Sequence, residues 1–459
     1  MNLSTDRMCF LTKPYLLTTN PSEEMNILWI QKDKTEGFVE FGKDKKLGTV
    51  INAECFEITG LRAPREDGTY SDRLEDHEKV SVWQYIAKIE GLKPGETVYY
   101  RCFNSSESSD VYDFHTAPEI GEGYRFAQLS DLQGLSDCNE TVYKIGCTHP
   151  DFILYSGDAT YISWRLDQWF DTGEPWQDEE TKKKAFFPCM QQENGARLLQ
   201  YAPMFFCPGN HELDDLRCYG NMGFGMIDDN WNWSIFMQML RPLYPDKNTG
   251  LSGRRWYSAT YSDLHIISLN INRLCFWDYK KAPGWRLYDS IAPDSPQITW
   301  LKKDLQEDKS KFKWVIQHFH ILNKGWDVQF NLCAPEVDDE GNAHYPHDHG
   351  GMLMDLYSEN GVNAVTFGHS HVYERYFRKS THYIEAAYLS VCFRRGGEEP
   401  HPSGLLPIVE DNSQRSFLIV ERKEGGLFAT GYYAKENPVP FDEYKIADEN
   451  GKTVPPKEE

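Results

Sequence analysis

The stretch DFILYSGDATY, residues 151–161, contains the clearest structural signal in this sequence. Four apolar or aromatic residues, 152–155, are followed at once by a short loop that holds Gly157, Asp158 and Tyr161. A continuous apolar run of this length is typical of a strand that is buried on both faces of its sheet. In an open α/β sheet, ligands bind in the crevice outside the carboxyl ends of the strands. Asp158 is therefore a candidate ligand or catalytic residue.

Four further apolar runs end in the same way, each followed closely by a side chain that can bind a metal ion. The runs are residues 126–129, 204–207, 314–316 and 364–367, and the polar residues after them are Asp131, Asn210, His211, His318, His369 and His371. A single Asp after a strand is usually a turn residue or a helix cap. Because residue type and strand context agree five times, a shared site is the better interpretation. We predict that five loops bring these side chains together.

Charged segments with helical spacing separate the apolar runs. The segment SPQITWLKKDLQEDKSK, residues 295–311, offers Ser295 as an N-cap and Pro296 in the first turn. Alternating strands and helices indicate an α/β domain. We assign this domain to residues 119–459, with a tail that we expect to be flexible from about residue 448.

Residues 1–118 show a different pattern. Short segments with strand-like alternation are separated by turn signals, and no catalytic constellation occurs among them. This pattern predicts an all-β sandwich. Within it, IEGLKPGETVYYRCF, residues 89–103, suggests a hairpin around the turn at residues 93–95. The sequence leaves open whether this domain is a spacer, a dimer surface or one wall of the active-site cleft.

The charge balance excludes several classes of partner. The 459 residues carry a formal net charge of −22. An acidic surface gives no electrostatic footprint for nucleic acid or for anionic membranes. The sequence also lacks an apolar run of the roughly 18 residues that a transmembrane helix needs. An anionic substrate would need a local positive centre such as bound metal ions. A homodimer is left open.

Cysteine usage and the first residues bear on the cellular compartment. The 11 cysteines are odd in number, scattered, and include no C-x-x-C pair. This fits a reducing compartment better than a disulfide framework. The start, MNLSTDRMCFLTKPYLL, has no basic region followed by a sustained apolar stretch. These features predict a cytoplasmic protein, or a secreted one if a signal peptide has been removed.

Five short motifs resemble, in order, those of the calcineurin-like metallophosphoesterases. They are SDLQG (130–134), GDATY (157–161), PGNHE (208–212), VIQH (315–318) and GHSHVYER (368–375). The branch that they resemble most is that of the purple acid phosphatases, which have an iron-binding tyrosine at the position of Tyr161 and a similar VYER sequence. A fibronectin type III-like module before the catalytic domain is a further likeness.

The resemblance implies a fold and a set of metal ligands. The fold is a mixed β-sandwich flanked by helices, preceded by the separate N-terminal all-β sandwich. The implied cofactors are two metal ions: Fe(III) at the first site, and Fe, Zn or Mn in the divalent state at the second. The first ion would be held by Asp131, Tyr161 and His371, the second by Asn210, His318 and His369, and Asp158 would bridge them. Independently of the resemblance, carboxylate, phenolate and imidazole are ligands that suit trivalent iron.

The implied function is hydrolysis of phosphate monoesters, in small phosphorylated substrates, by metal-bound hydroxide. His211 and His320 are the candidates to donate a proton to the leaving group or to hold the phosphate. His320 lies two residues past His318 and would face the same side of an extended strand.

Two alternatives and one unusual residue remain at this point. A phosphodiesterase or nucleotide pyrophosphatase could use the same site, and a catalytically silent binding protein is a third reading. Gln133 stands where purple acid phosphatases usually have Gly and where much of the wider superfamily has a histidine ligand. It could be a weak ligand, a hydrogen-bond donor behind the ligands or a turn residue.

Overall fold

The computed structural model describes residues 10–61, 79–134, 138–161, 163, 165–172, 183–191, 197–213, 235–244, 255–271, 289, 291–319, 321, 336–337, 343–344, 349–386, 389, 407–411, 413–434 and 437–456. No helix within these ranges is both long enough and apolar enough to cross a lipid bilayer.

The N-terminal part is a separate all-β domain of two antiparallel four-stranded sheets. The first sheet has the order β1 (Tyr15–Leu17), β2 (Glu24–Gln31), β6 (Lys79–Glu90) and β5 (Glu54–Leu61). The second has the order β4 (Thr49–Asn52), β3 (Phe38–Gly42), β7 (Thr97–Phe103) and β8 (Tyr112–His115). The predicted hairpin at residues 93–95 is wrong, because β6 pairs with β2 and β5 while β7 pairs with β3 and β8. The turn passes the chain from one sheet to the other.

In the first of these sheets, strand β2 is buried on both faces. Along β2, Ile27 and Trp29 belong to the core between the two N-terminal sheets, whereas Leu28 and Ile30 belong to the core of the C-terminal domain. This follows from the two-residue period of a strand. It explains why β2 reads as a nearly continuous apolar run although the sheet is antiparallel.

The C-terminal domain is a sandwich of two mixed sheets, as predicted. One sheet has the order β11 (Met204–Phe206), β10 (Phe152–Tyr155), β9 (Tyr124–Leu129), β21 (Ser416–Lys423), β22 (Gly426–Tyr433) and β23 (Val439–Asp448). The other has the order β12 (Tyr257–Tyr261), β13 (Leu264–Ser268), β14 (Phe312–Ile316), β17 (Ala364–Phe367), β19 (Thr381–Glu385), β18 (Tyr373–Arg378) and β20 (Val409–Asp411). Strands β9, β10 and β11 are mutually parallel, and so are β13, β14, β17 and β19. A small antiparallel pair, β15 (Glu336–Val337) and β16 (Ala343–His344), lies apart from both.

The inner faces of the two sheets pack through aromatic side chains. The rings of Phe126 and Trp314 meet edge to face at 5.1 Å, and those of Phe152 and Tyr261 lie 4.3 Å apart. Such pairs add to the apolar area that the sandwich buries. One polar link crosses the same core, in which Thr366 Oγ1 donates to Gln128 Oε1 at 3.0 Å.

Helices flank the sandwich. They are α1 (Asn139–Cys147), α2 (Phe186–Met190), α3 (Leu198–Tyr201), α4 (Asn210–Leu213), α5 (Ile235–Met239), α6 (Pro296–Glu307) and α7 (His349–Glu359). The predicted helix after residue 295 is confirmed as α6: Ser295 Oγ accepts a hydrogen bond from the Ile298 backbone N–H, and Pro296 occupies the first turn. The apolar side of α6 and part of α7 cover the outer face of the seven-stranded sheet.

Hydrogen bonds hold the N-terminal domain against the C-terminal domain. The Tyr15 hydroxyl donates to Met239 O at 3.0 Å, and the Tyr100 hydroxyl donates to Gln200 O at 2.7 Å. Both donors are buried. The domain is therefore packed against the region of α3 and α5, not held at a distance as a spacer would be.

The C-terminal tail is also anchored, in contrast to the flexible tail that we expected. Val454 N donates to Ile446 O at 2.9 Å, and Asn363 Nδ2 donates to Gly451 O at 2.8 Å. The polar, Pro- and Lys-containing composition of the tail suggested a frayed end. The tail is held by these backbone groups as far as the structure describes it, to residue 456.

Candidate metal centre

Five strands end at one edge of the sandwich. They are β9, β10 and β11 in one sheet and β14 and β17 in the other, parallel within each sheet. Within the six-stranded side, Asp131 N donates to Gly157 O at 3.0 Å. Across the two sheets, His318 Nδ1 donates to Ser156 O at 2.6 Å. These hydrogen bonds bring the loops after the strands together.

Five non-glycine residues of these loops have a left-handed backbone. φ is 53° at Asp131, 51° at Gln133, 58° at Asp158, 79° at His369 and 57° at His371. Positive φ brings Cβ close to the following carbonyl oxygen and costs on the order of 1–2 kcal/mol per residue. Such conformations persist where surrounding contacts enforce them, and they cluster at functional sites. The backbone alone therefore marks this edge as a candidate site.

Two glycines let the loops approach more closely than a side chain would allow. A Cβ atom on Gly209 would lie 2.1 Å from Asp158 Oδ1, and one on Gly368 would lie 2.5 Å from Asp131 Oδ2. Both distances are well inside van der Waals contact. Glycine at these two positions is what allows neighbouring loops to place their carboxylates here.

Asn210, His318 and His369 form one group of side chains. Asn210 Oδ1 lies 3.0 Å from His318 Nε2 and 2.9 Å from His369 Nδ1. The two imidazole rings are nearly perpendicular, with centroids 5.3 Å apart. One amide oxygen and two imidazole nitrogens, contributed by three different loops, thus point into the same small volume.

Asp131 and His371 form a second group. Asp131 Oδ1 lies 3.3 Å from His371 Nε2, and both side chains are buried. The Asp131 carboxylate also accepts the His369 backbone N–H, at 3.1 Å and 3.0 Å to its two oxygens. Asp131 therefore ties the first loop of the site to the last.

Asp158 contacts residues from three other loops. Its Oδ2 lies 3.2 Å from His318 Nε2 and 2.9 Å from Gln133 Nε2, and its Oδ1 accepts the His211 backbone N–H at 2.9 Å. Burial alone would raise the pKa of Asp158, but the charges of His318 and His211 hold it below its ordinary value. Burial lowers the pKa of His318, whereas the adjacent Asp158 raises it, with a net result of about 10. The site therefore contains a fully buried ion pair.

The side chains of Tyr161 and His211 pack against each other at a partly exposed side of the site. Their rings lie 4.6 Å apart, and His211 Nδ1 donates to Tyr161 O at 2.8 Å. That hydrogen bond places a proton on Nδ1 and leaves Nε2 facing Asp158 Oδ2 at 3.8 Å. The His211 side chain is 13% exposed, so it can meet a bound molecule from the solvent side. Burial lowers the pKa of His211, and Asp158 partly offsets this.

Two models of known families match the chain. A model of the calcineurin-like phosphoesterases matches residues 124–373, which include all five loops described above. The chain belongs to the calcineurin-like phosphoesterase family. A model of the purple acid phosphatase N-terminal domain matches residues 12–116, the region of the all-β domain. The family resemblance that the motifs indicated is confirmed.

Individual relatives of this calcineurin-like phosphoesterase are distant in sequence. Purple acid phosphatase 15 of Arabidopsis thaliana is 24% identical over 301 residues, which are 63% of this chain and 48% of the relative. Acid phosphatase type 7 of Danio rerio is 22% identical over 407 residues, which are 84% of this chain and 73% of the relative. The chain spans about half the length of two of the Arabidopsis relatives that it matches, purple acid phosphatase 15 and probable purple acid phosphatase 20.

The fold is shared with a solved structure of a purple acid phosphatase isolated from yellow lupin (Lupinus luteus) seeds. The TM-score is 0.63 at 15% sequence identity, and the match covers 94% of this chain and 73% of that chain. At this identity the likeness shows the fold alone. It includes the two-sheet sandwich whose edge carries the site.

The predicted site residues can now be placed. The structure brings Asp131, Asp158, Asn210, His211, His318, His369 and His371 into mutual contact at one edge and puts the Tyr161 ring against His211. His320 lies outside the described residues. The side-chain amide nitrogen of Gln133 donates a hydrogen bond to Asp158. Of the three interpretations of Gln133, this contact favours the hydrogen-bond donor.

One important residue was missed by the motif analysis. The buried carboxylate of Glu212 accepts three backbone N–H groups: Oε2 those of Asp158 at 2.8 Å and Gly209 at 2.7 Å, and Oε1 that of Ala159 at 2.7 Å. Burial, and then the charge of Asp158, raise its pKa to about 8. A charged residue directly after Asn210 and His211 was the available signal.

The residues of this calcineurin-like phosphoesterase fit a metal ion. Asp158, His318 and His369 each offer a ligand atom, and these atoms all lie within 4.8 Å of one another. Imidazole nitrogens with carboxylate and amide oxygens are a donor set that suits divalent Zn, Mn or Fe.

Proposed function

We propose that this protein is a two-metal phosphomonoesterase of the purple acid phosphatase type. The observation that carries the proposal is the convergence of five strand-end loops, which places six ligand-type side chains in contact around a buried edge of the sandwich. They are Asp131, Asp158, Asn210, His318, His369 and His371. Membership in a family of phosphoesterases supports the reaction class.

The two groups of contacts support a division of the ligands. Asn210, His318 and His369 share one small volume and would hold a divalent ion, for which we propose Fe, Zn or Mn. Asp131 and His371, joined by the phenolate of Tyr161, would hold Fe(III).

Asp158 would bridge the two ions. Its low pKa keeps it ionised, so that it can serve both ions as a carboxylate ligand. When bound, the ions would supply positive charge for the phosphoryl oxygens and would activate water.

His211 is the described residue best placed to act on the substrate. Its Nδ1–H is committed to Tyr161 O, so the ring orientation is fixed and Nε2 is turned towards the site. When the ring is protonated on both nitrogens, Nε2 would hold a phosphoryl oxygen or give its proton to the leaving group. His320 remains our second candidate for this role.

A small phosphorylated molecule is the proposed substrate. The net charge of −22 disfavours polyanionic partners such as nucleic acid. Turnover of nitrophenyl phosphate should exceed that of bis-nitrophenyl phosphate. Cleavage of the diester alone would overturn the monoesterase and favour the phosphodiesterase alternative.

Metal analysis tests the centre itself. Purified protein should contain two ions per chain, and His318→Ala should lose the divalent ion. If iron is coordinated by the Tyr161 phenolate, the protein should be purple or pink, and Tyr161→Phe should lose the colour while it keeps its fold. A wild-type protein that binds no metal after supplementation with iron, zinc or manganese, and that hydrolyses neither ester, would favour the silent binding protein.

A further inference from the structure

Gln133 occupies a position whose backbone favours glycine. Its φ is 51°, its side chain is almost wholly buried, and the next residue, Gly134, is also left-handed with φ 66°. In a turn of this kind glycine would avoid the steric conflict between Cβ and the backbone. A long polar side chain is present instead, so its contacts need an explanation beyond turn formation.

Within the described part of the chain, two hydrogen bonds link Gln133 to Asp158. Its side-chain Nε2 donates to Asp158 Oδ2 at 2.9 Å, and its backbone N–H donates to Asp158 O at 3.2 Å. The other side of Asp158 is held independently, since its backbone N–H donates to Glu212 and its Oδ1 accepts the His211 N–H. Gln133 therefore fixes the one carboxylate oxygen that faces His318 Nε2.

We propose that Gln133 is a positioning residue that holds the Asp158 carboxylate in the orientation required to bind metal. This inference rests on the metal centre proposed above. With Oδ1 and Oδ2 both restrained, rotation about the Cβ–Cγ bond of Asp158 is restricted before any ion arrives. Partners behind metal ligands typically change metal affinity by about 10–100-fold when they are lost.

The geometry distinguishes this role from that of a ligand. The amide nitrogen, which cannot bind a cation, is the atom turned towards Asp158. The backbone conformation at residue 133 also gives no reason for a glutamine, because glycine would adopt it with less strain. The two roles predict opposite effects of a carboxylate at this position.

The experiment measures Zn²⁺ and Mn²⁺ affinity by titration calorimetry on the chelator-treated full chain, together with the melting temperature before metal is added. For Gln133→Gly we expect an unchanged or higher melting temperature and an affinity that falls about tenfold. Gln133→Met keeps the length of the side chain without its donor and should weaken binding similarly. This second variant separates the lost hydrogen bond from any loosening of the loop.

A matched control is Ser380→Gly. Ser380 is exposed in the β18–β19 turn, and its φ is 62°. The substitution relieves the same backbone conflict away from the site, so it should leave metal affinity unchanged. The direction in which Gln133→Glu changes metal affinity separates the two roles. If Gln133 acts as a donor to Asp158, the substitution removes that donor and should weaken metal binding.

Tighter binding in Gln133→Glu would make residue 133 a ligand and overturn the inference. Binding by Gln133→Gly and Gln133→Met that equals wild type would also overturn it, and would leave the metal centre intact. A wild-type protein that binds neither ion would overturn the proposed centre and this inference with it.

Discussion

Glu212→Gln should destabilise the protein by about 2 kcal/mol and loosen the metal centre. The carboxylate accepts three backbone N–H groups from two loops, with distances of 2.7–2.8 Å. Glutamine has one acceptor oxygen. Its best orientation keeps the two bonds from Asp158 and Gly209 and leaves the Ala159 N–H facing an amide NH₂.

The magnitude follows from two opposing effects. A buried N–H without an acceptor costs about 1–3 kcal/mol, and the two remaining bonds lose their charge assistance. Against this, the raised pKa of Glu212, about 8, shows that its charge is costly to bury, and the neutral amide recovers part of that cost. We expect the free energy lost with the hydrogen bonds to exceed the burial cost that is recovered, because the carboxylate binds backbone N–H groups of both loops.

The assay is urea unfolding of the chelator-treated protein at pH 9, where a group with a pKa of about 8 is a carboxylate, with metal content measured on the untreated protein. Glu307→Gln is the matched control, because Glu307 lies exposed at the end of α6 with only a 3.8 Å contact to Lys303. The control should change the free energy of unfolding by less than about 0.5 kcal/mol. Wild-type stability and full metal content in Glu212→Gln would refute the anchoring role.

Three further predictions concern close contact, pH and metal removal. Gly209→Ala would place a Cβ atom 2.1 Å from Asp158 Oδ1, so we expect metal content to fall sharply while far-UV circular dichroism stays native; full metal content would contradict this. Burial lowers the pKa of His382 from 6.5 to about 4, so its neutral ring contributes stability above pH 6.5 that is lost as pH falls towards 4. The difference between the two pKa values of His382 corresponds to about 3 kcal/mol at roughly 1.4 kcal/mol per pKa unit. Urea unfolding of His382→Gln should therefore show a shallower pH dependence between pH 7 and 4 than that of the wild type. Parallel curves would argue against this role of His382. Chelation should lower the unfolding free energy by about 3 kcal/mol where the free ion had been at 100 times its dissociation constant, and an unchanged melting temperature would speak against a resident metal.

The loops of the site were predictable because they follow buried strands. A run such as residues 152–155 is apolar on both faces, so its end is visible in the sequence, and parallel strands bring such ends to one edge. Helix α6 was predictable for an equally local reason, since Ser295 and Pro296 mark its start. In both cases the residues that produce the structure are neighbours in the chain.

What could not be predicted depends on partners that are distant in sequence. Residues 93–95 predict a turn, but they do not indicate which strand pairs with β7 after it. That partner is β3, which lies in the other sheet from β6. Glu212 binds backbone N–H groups some fifty residues away, and these leave no side-chain signature in the sequence. The role of Gln133 stayed open for the same reason, because its partner Asp158 is 25 residues away.

The first sheet of the N-terminal domain has a consequence for biosynthesis. Its second apolar face, with Leu17, Leu28, Ile30 and Val82, packs into the core of the C-terminal domain. A ribosome would release this face long before α3 and α5 emerge to pack beside it. Until then the nascent chain presents an uncovered apolar surface, which favours aggregation or chaperone capture. We therefore expect the N-terminal and C-terminal domains to fold cooperatively. A C-terminal domain produced alone would expose the complementary apolar surface.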